Sequence, residues 1–248
     1  KLCVAPADPE LLALVLRHLD EWMKTKDEEL GFAEFMDGVY TVYNVLCNTS
    51  QGRAIDYTSL DQIGTVSTLL ALCDHEEAEA RAAAATSLRA FFKDRVTSAK
   101  YVKVAGPILL RVMRKDDNED AVLALFNLAC CKEGEAVFIA DGTHLNLLEW
   151  MVQTSSPLIK AACLKVLVQL TIDEECVLAL LADGLMGKLL SELIAFEPAP
   201  DPNAKKPIFG YEDEEVAPPG ADELTMWQAV SRVCVAVAAR KLDMSDAD

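Results

Sequence analysis

The chain has 248 residues, a net charge of −17 and 52% hydrophobic residues, with aromatics at only 6%. That length supports one or two domains with a large core. The acidic balance excludes nucleic acid as a partner, because phosphate binding needs concentrated Lys and Arg, and it excludes adhesion of the whole surface to anionic membrane. The apolar residues are mostly Ala, Leu and Val, which in long stretches suit helices better than sheets. The eight cysteines (Cys3, Cys47, Cys73, Cys130, Cys131, Cys163, Cys176 and Cys234) show no CxxC and no metal spacing. They read as small buried hydrophobes in a reducing cytosol. No apolar run approaches the ~20 residues that span a bilayer. The chain begins at Lys1 rather than Met. A native start carrying any targeting or lipid-attachment signal is expected upstream of it.

In chain order, "PELLALVLRHLDEWM" at 9–23 reads as an atypical N-terminal cap helix, and "GVYTVYNVLC" at 38–47 as the next. Glycines then recur at Gly64, Gly106, Gly142 and Gly184, at intervals of 42, 36 and 42 residues. Each precedes an apolar pattern, so each is expected to end one helix and free the chain to turn into another. Pro107 after Gly106 fits the first position of the new helix. A second landmark keeps the same beat. The words "AAAATSLRAFF", "AVLALFNLACC", "AACLKVLVQLT" and "QAVSRVCVAVA" align Ala90, Asn127, Gln169 and Arg232 with Asn44. A helical period near 40 predicts a solenoid of stacked three-helix units that share one core. "ELTMWQAVSRVCVAVAARKL" at 223–242 reads as the closing helix.

The segments "NEDAVLALFNLACCKEGEAVFIADGTHLNLLEWM" and "IKAACLKVLVQLTIDEECVLALLADGLMGKLLSELI" resemble armadillo repeats. Each has an Ala/Leu-rich helix closing on an ALxNLA-like word, a turn, a helix ending in xDG and a leucine-rich helix. The resemblance covers about residues 32–242 as roughly five units. It implies an all-α armadillo-repeat superhelix with capping helices, a single domain over 1–248. It also implies a groove lined by the third helix of each repeat, where an Asn ladder clamps a ligand backbone and a Trp ladder forms pockets. Carried onto this chain, the Asn position holds Asn44, Ala90, Asn127, Gln169 and Arg232, and the Trp position holds Tyr40, Thr86, Leu123, Lys165 and Gln228. The Trp ladder is absent. Lys165 and Arg232 would repel a basic peptide and suit an acidic one. Asn44 and Asn127 either clamp a ligand or bridge neighbouring helices.

The stretch "FEPAPDPNAKKPIFGYEDEEVAPPGADE" breaks the period, so an inserted Pro-rich acidic loop is expected at about 197–222. Its Phe209 and Tyr211 stand beside four acids. The loop either lies back over the C-terminal groove or remains a solvated acidic segment. Charge is also uneven. Arg89, Lys93, Arg95, Lys100, Lys103, Arg111, Arg114 and Lys115 face only Asp94 within their segment, giving +7 there and −24 elsewhere. Such a basic surface either helps to orient the chain on an anionic membrane or acidic partner, or is neutralised by neighbouring acids.

There is no phosphate-binding glycine loop and no HExxH. "CDHEE" at 73–77 lacks the three or four convergent ligands that a metal needs and reads as a helix-end turn. No catalytic residue, metal or cofactor is expected, and the chain reads as a non-enzymatic, monomeric protein-binding scaffold. The whole chain, and the stretch "FFKDRVTSAKYVKVAGPILLRVMRKDDNEDAVLALFNLACCKEG" above all, is similar to the armadillo-repeats-only proteins of apicomplexan parasites. That resemblance implies attachment to the cytosolic face of rhoptries through an acylated N-terminus that precedes Lys1. It also implies organelle positioning through motor and signalling partners such as a myosin and a cyclase. The alternative is an armadillo-type Hsp70 nucleotide exchange factor. An MGxxxS/T start upstream of Lys1 would favour the first reading.

Overall fold

The Ala- and Leu-rich words of the sequence are helices. The computed structural model describes residues 9–25, 32–47 and 57–182, with isolated positions at 184, 187, 191, 231 and 235. Two units are defined, 1–170 and 171–248. The first contains α1 (Pro9–Thr25), α2 (Phe32–Cys47), α3 (Tyr57–Gln62), α4 (Thr65–Leu72), α5 (Ala78–Phe91), α6 (Arg95–Asp116), α7 (Glu119–Ala129), α8 (Lys132–Ala140), α9 (Thr143–Gln153) and α10 (Pro157–Leu170). In the second, α11 (Glu174–Ala182) is described, with Cys176, Val177 and Leu180 buried. Among the described residues there is no strand, as the composition requires. The acidic loop, with Phe209 and Tyr211, lies outside the described residues, as does the closing helix apart from the helical positions Ser231 and Val235.

The repeat is physical. In the first unit α2 packs on α5, α5 on α7 and α7 on α10, so the four helices that carry the aligned Asn positions stand in one row. Small residues let them approach. Ala80, Ala84 and Ala85 of α5, and Ala121, Ala124 and Ala129 of α7, are completely buried, with Leu88, Leu125 and Leu128 filling the space between. The cap helix α1 closes the start of the row. Trp22 stacks on Phe35 of α2 with ring centroids 3.9 Å apart, and Gly38 would bring a Cβ to 3.0 Å from Leu19 Cδ2. Side-chain caps set the helix starts. Asp94 accepts from the Thr97 amide at 2.9 Å and Asn118 from the Ala121 amide at 2.8 Å.

Three of the four periodic glycines turn the chain as expected. Gly64, Gly142 and Gly184 have φ of +86°, +75° and +78°, a region costly for a residue with a Cβ. Gly106 does not. α6 runs unbroken through Gly106 and Pro107, which merges two expected helices and leaves that repeat with two helices instead of three. Pro107 deprives α6 of one backbone bond. Gly106 instead leaves a flat place against α8, where a Cβ would sit 3.5 Å from Phe138. The two glycines should therefore respond in opposite senses. Gly142→Ala is expected to lower stability by about 1–2 kcal/mol. Gly106→Ala should leave it unchanged or raise it by up to ~1 kcal/mol, since it removes a glycine from a helix interior. Urea denaturation of the two variants checks this, and an equal loss at both would contradict the continuity of α6.

Candidate protein-binding face

Each helix of the row brings its aligned residues toward one side of the repeat unit. α2 carries Tyr40 and Asn44, α5 carries Thr86, α7 carries Leu123 and Asn127, and α10 carries Lys165 and Gln169. Gln228 and Arg232 lie outside the described residues. Tyr40, Asn44 and Lys165 are exposed, while Thr86, Leu123, Asn127 and Gln169 are half-buried.

A polar network ties successive rungs together. The Tyr40 hydroxyl donates to Glu79 Oε1 of α5 at 2.6 Å. That hydrogen bond, more than partial burial, pushes the phenol's pKa above its ordinary value. Tyr43 meets the Tyr40 ring edge-on, at 6.5 Å and 82°. The Thr86 hydroxyl lies 2.5 Å from Asp120 Oδ2 of α7 and 2.9 Å from the Ala82 carbonyl, and its single proton serves one of them at a time. Arg89 Nη1 donates to the other oxygen of Asp120 at 2.6 Å. Asn127 Nδ2 reaches back to the Arg89 carbonyl at 2.7 Å, one of the last carbonyls of α5, which have no partner within their own helix. Gln169 Nε2 donates to Glu135 Oε1 at 3.3 Å.

The two open readings of the Asn ladder thus divide by position. Asn127 bridges neighbouring helices through its amino group, which leaves its carbonyl oxygen to accept. Among the described residues none bonds the Asn44 side chain, so both of its ends face solvent. Glu79 and Asp120 belong to this face and were not singled out in the sequence. Their signal was an acidic residue in the first turn of α5 and of α7. That placement also answers the helix dipole and is common enough to pass unnoticed. The described part of the row carries Glu34, Asp37, Glu79, Glu119 and Asp120 on α2, α5 and α7. The cation Lys165 stands apart on α10.

The basic segment is half neutralised across repeats. Lys100 pairs with Asp61 at 2.5 Å, Arg111 with Asp74 at 2.8 Å, Arg114 with Glu149 at 3.5 Å and Arg89 with Asp120. Lys93, Arg95, Lys103 and Lys115 are exposed and meet no carboxylate among the described residues. The "CDHEE" word is a turn between α4 and α5. Burial pushes the Cys73 thiol up to about 12, and His75 Nδ1 accepts the Glu77 amide proton at 3.1 Å. Cys130 and Cys131 lie at the α7–α8 corner rather than within a helix, as the C-cap of one and the N-cap of the other.

Solved structures of designed proteins share this architecture. One engineered protein matches with a TM-score of 0.63 and 12% identity over 91% of this chain and 80% of its own. A second matches at 0.64 and 14% over 92% of this chain, which spans 50% of that longer protein. A designed armadillo repeat protein matches at 0.63 and 15% over 90% of this chain and 82% of its own. At these identities the likeness shows the fold alone, an all-α armadillo-like repeat. No protein-family model matches the sequence. A search of curated proteins finds no match.

Proposed function

We propose that this chain is a non-enzymatic scaffold that holds an extended segment of a partner protein along the α2–α5–α7–α10 row. An armadillo-like fold suggests protein binding. The observation that carries the reading is the division of labour within the row. Asn127, Thr86 and Arg89 secure rung to rung, while Asn44, Lys165 and the half-buried Leu123 remain turned to solvent without a structural task. By its resemblance to the armadillo-repeats-only proteins, the chain works on the cytosolic face of the rhoptry membrane. There it positions the organelle by recruiting motor and signalling partners such as a myosin and a cyclase, held through an acylated segment upstream of Lys1.

Affinity capture with the wild-type chain and an Asn44→Ala/Lys165→Glu variant tests this. The expected result is a myosin or cyclase retained by the first and lost by the second, with thermal unfolding unchanged. Retention of Hsp70 in place of these, with ADP release accelerated, would replace the scaffold reading by that of an exchange factor.

A further inference from the structure

The solvent side of α6 is unlike the rest of this acidic molecule. At 100° per residue, the exposed cations Lys100, Lys103, Arg111, Arg114 and Lys115 fall within one arc of about 120°. Three apolar residues, Val96, Val104 and Pro107, share that arc, and no acidic residue of α6 does. The valines stand out from the surface, with 77% and 57% of their area exposed. α9 packs beside α6 and adds exposed Leu145 and Val152. The carboxylates that reach this side, Asp61, Asp74 and Glu149, are each held by one of the cations. Lys103 and Lys115 therefore remain as net positive charge.

We propose that this face of α6 docks on an anionic lipid surface, with its cations against headgroup charge and Val96 and Val104 at the boundary of the acyl chains. Three observations select a bilayer over a folded acidic partner. The aliphatic side chains protrude, which suits a fluid interface that closes around them, whereas a protein surface would need matching pockets. Cations and apolar residues interleave between Val96 and Arg111 on the exposed arc of this helix, as on helices that lie in the membrane plane. The Arg111–Asp74 and Arg114–Glu149 pairs are exposed on both partners, so these two cations exchange readily for lipid charge. The remaining surface carries strong negative charge and is repelled, which leaves this orientation as the one that brings the chain against anionic lipid. The proposal rests on the organelle-surface reading above and makes it specific. The α6 face meets the membrane and leaves the helix row to the partner.

The experiment is co-sedimentation of the full 248-residue chain with phosphatidylcholine vesicles, with and without phosphatidylserine, at low and high salt. The wild-type chain is expected to bind the phosphatidylserine vesicles alone and to release in salt. Lys103→Glu/Lys115→Glu should weaken binding roughly thirty-fold or more, from the loss of two cations alone. Val104→Asp should weaken it as well, and Lys132→Glu, on α8, should not. Circular dichroism confirms that each variant is folded. Absence of binding to phosphatidylserine vesicles, or equal binding by wild type and the double variant, overturns the proposal. So does a double variant that loses a captured protein partner while the wild type ignores vesicles, which would make the face a protein-docking surface. Partner capture lost only on Asn44→Ala/Lys165→Glu leaves vesicle binding untouched, so the two readings fail separately.

Discussion

Replacing Arg81 with methionine is expected to destabilise the first unit by about 3–5 kcal/mol, read as a fall in the urea midpoint with little change in slope. Arg81 lies on α5 with its side chain 5% exposed, beside the 12%-exposed side chain of Asp116. Its Nε and Nη2 grip both oxygens of that carboxylate, at 2.7 Å and 2.5 Å. The hydrogen bond to Asp116 outweighs burial and raises the guanidinium pKa, so Arg81 stays charged. Nη1 also donates to the carbonyls of His75 and Glu76, which closes the turn that launches α5. Asp116 ends α6, where the helix dipole disfavours negative charge, and Arg81 offsets that cost. Methionine fills much of the volume but leaves Asp116 nearly buried and alone, and it frees both carbonyls. Arg81→Met with Asp116→Leu should recover most of the loss, because the stranded charge is then gone. A single variant that loses under ~1 kcal/mol would show that Asp116 escapes to water and that the pair does not fasten α5 to α6.

Gly134→Ala is expected to be comparably severe, at about 3 kcal/mol or more. Gly134 lies in the first turn of α8, where its amide donates to the Cys131 carbonyl at 2.9 Å. A Cβ built there would sit 1.9 Å from the Leu128 carbonyl oxygen and 2.8 Å from its carbon. Both atoms belong to the backbone of α7, so no side chain can rotate aside and the α7–α8 corner must open. Phe138 of α8 is completely buried and presses on α6 at Gly106, so the displacement would spread to that contact. Thermal unfolding compared with Gly106→Ala isolates the effect. Equal midpoints for the two variants would contradict the tight corner.

Much of the fold was legible because its signals are local. The left-handed turns at Gly64 and Gly142 follow from a conformation that few residues except glycine adopt, and the alanine-rich words fix which helices stand close. Gly106 carried the same letter at the same beat, yet its backbone is helical within the continuous α6 and it packs near Phe138 of a later helix, a contact that no local signal announces. The candidate face was legible by position but not by role. Asn44 and Asn127 align, but only Asn127 has an open α5 carbonyl within reach. The basic segment misled in a similar way. Within its own stretch it meets one acid, while Asp61, Asp74 and Glu149, which pair with three of α6's six cations from 35–39 positions away, become neighbours only when repeats stack.

The most direct test of the binding row places a photo-cross-linking residue in turn at Asn44, Leu123 and Lys165, and at Thr58 on α3 as a control. One partner, joined at all three row positions through successive stretches of a single extended segment and absent from the control, is the expected result. A partner joined at the control position as strongly as at the row, or joined at none of the three, would contradict it.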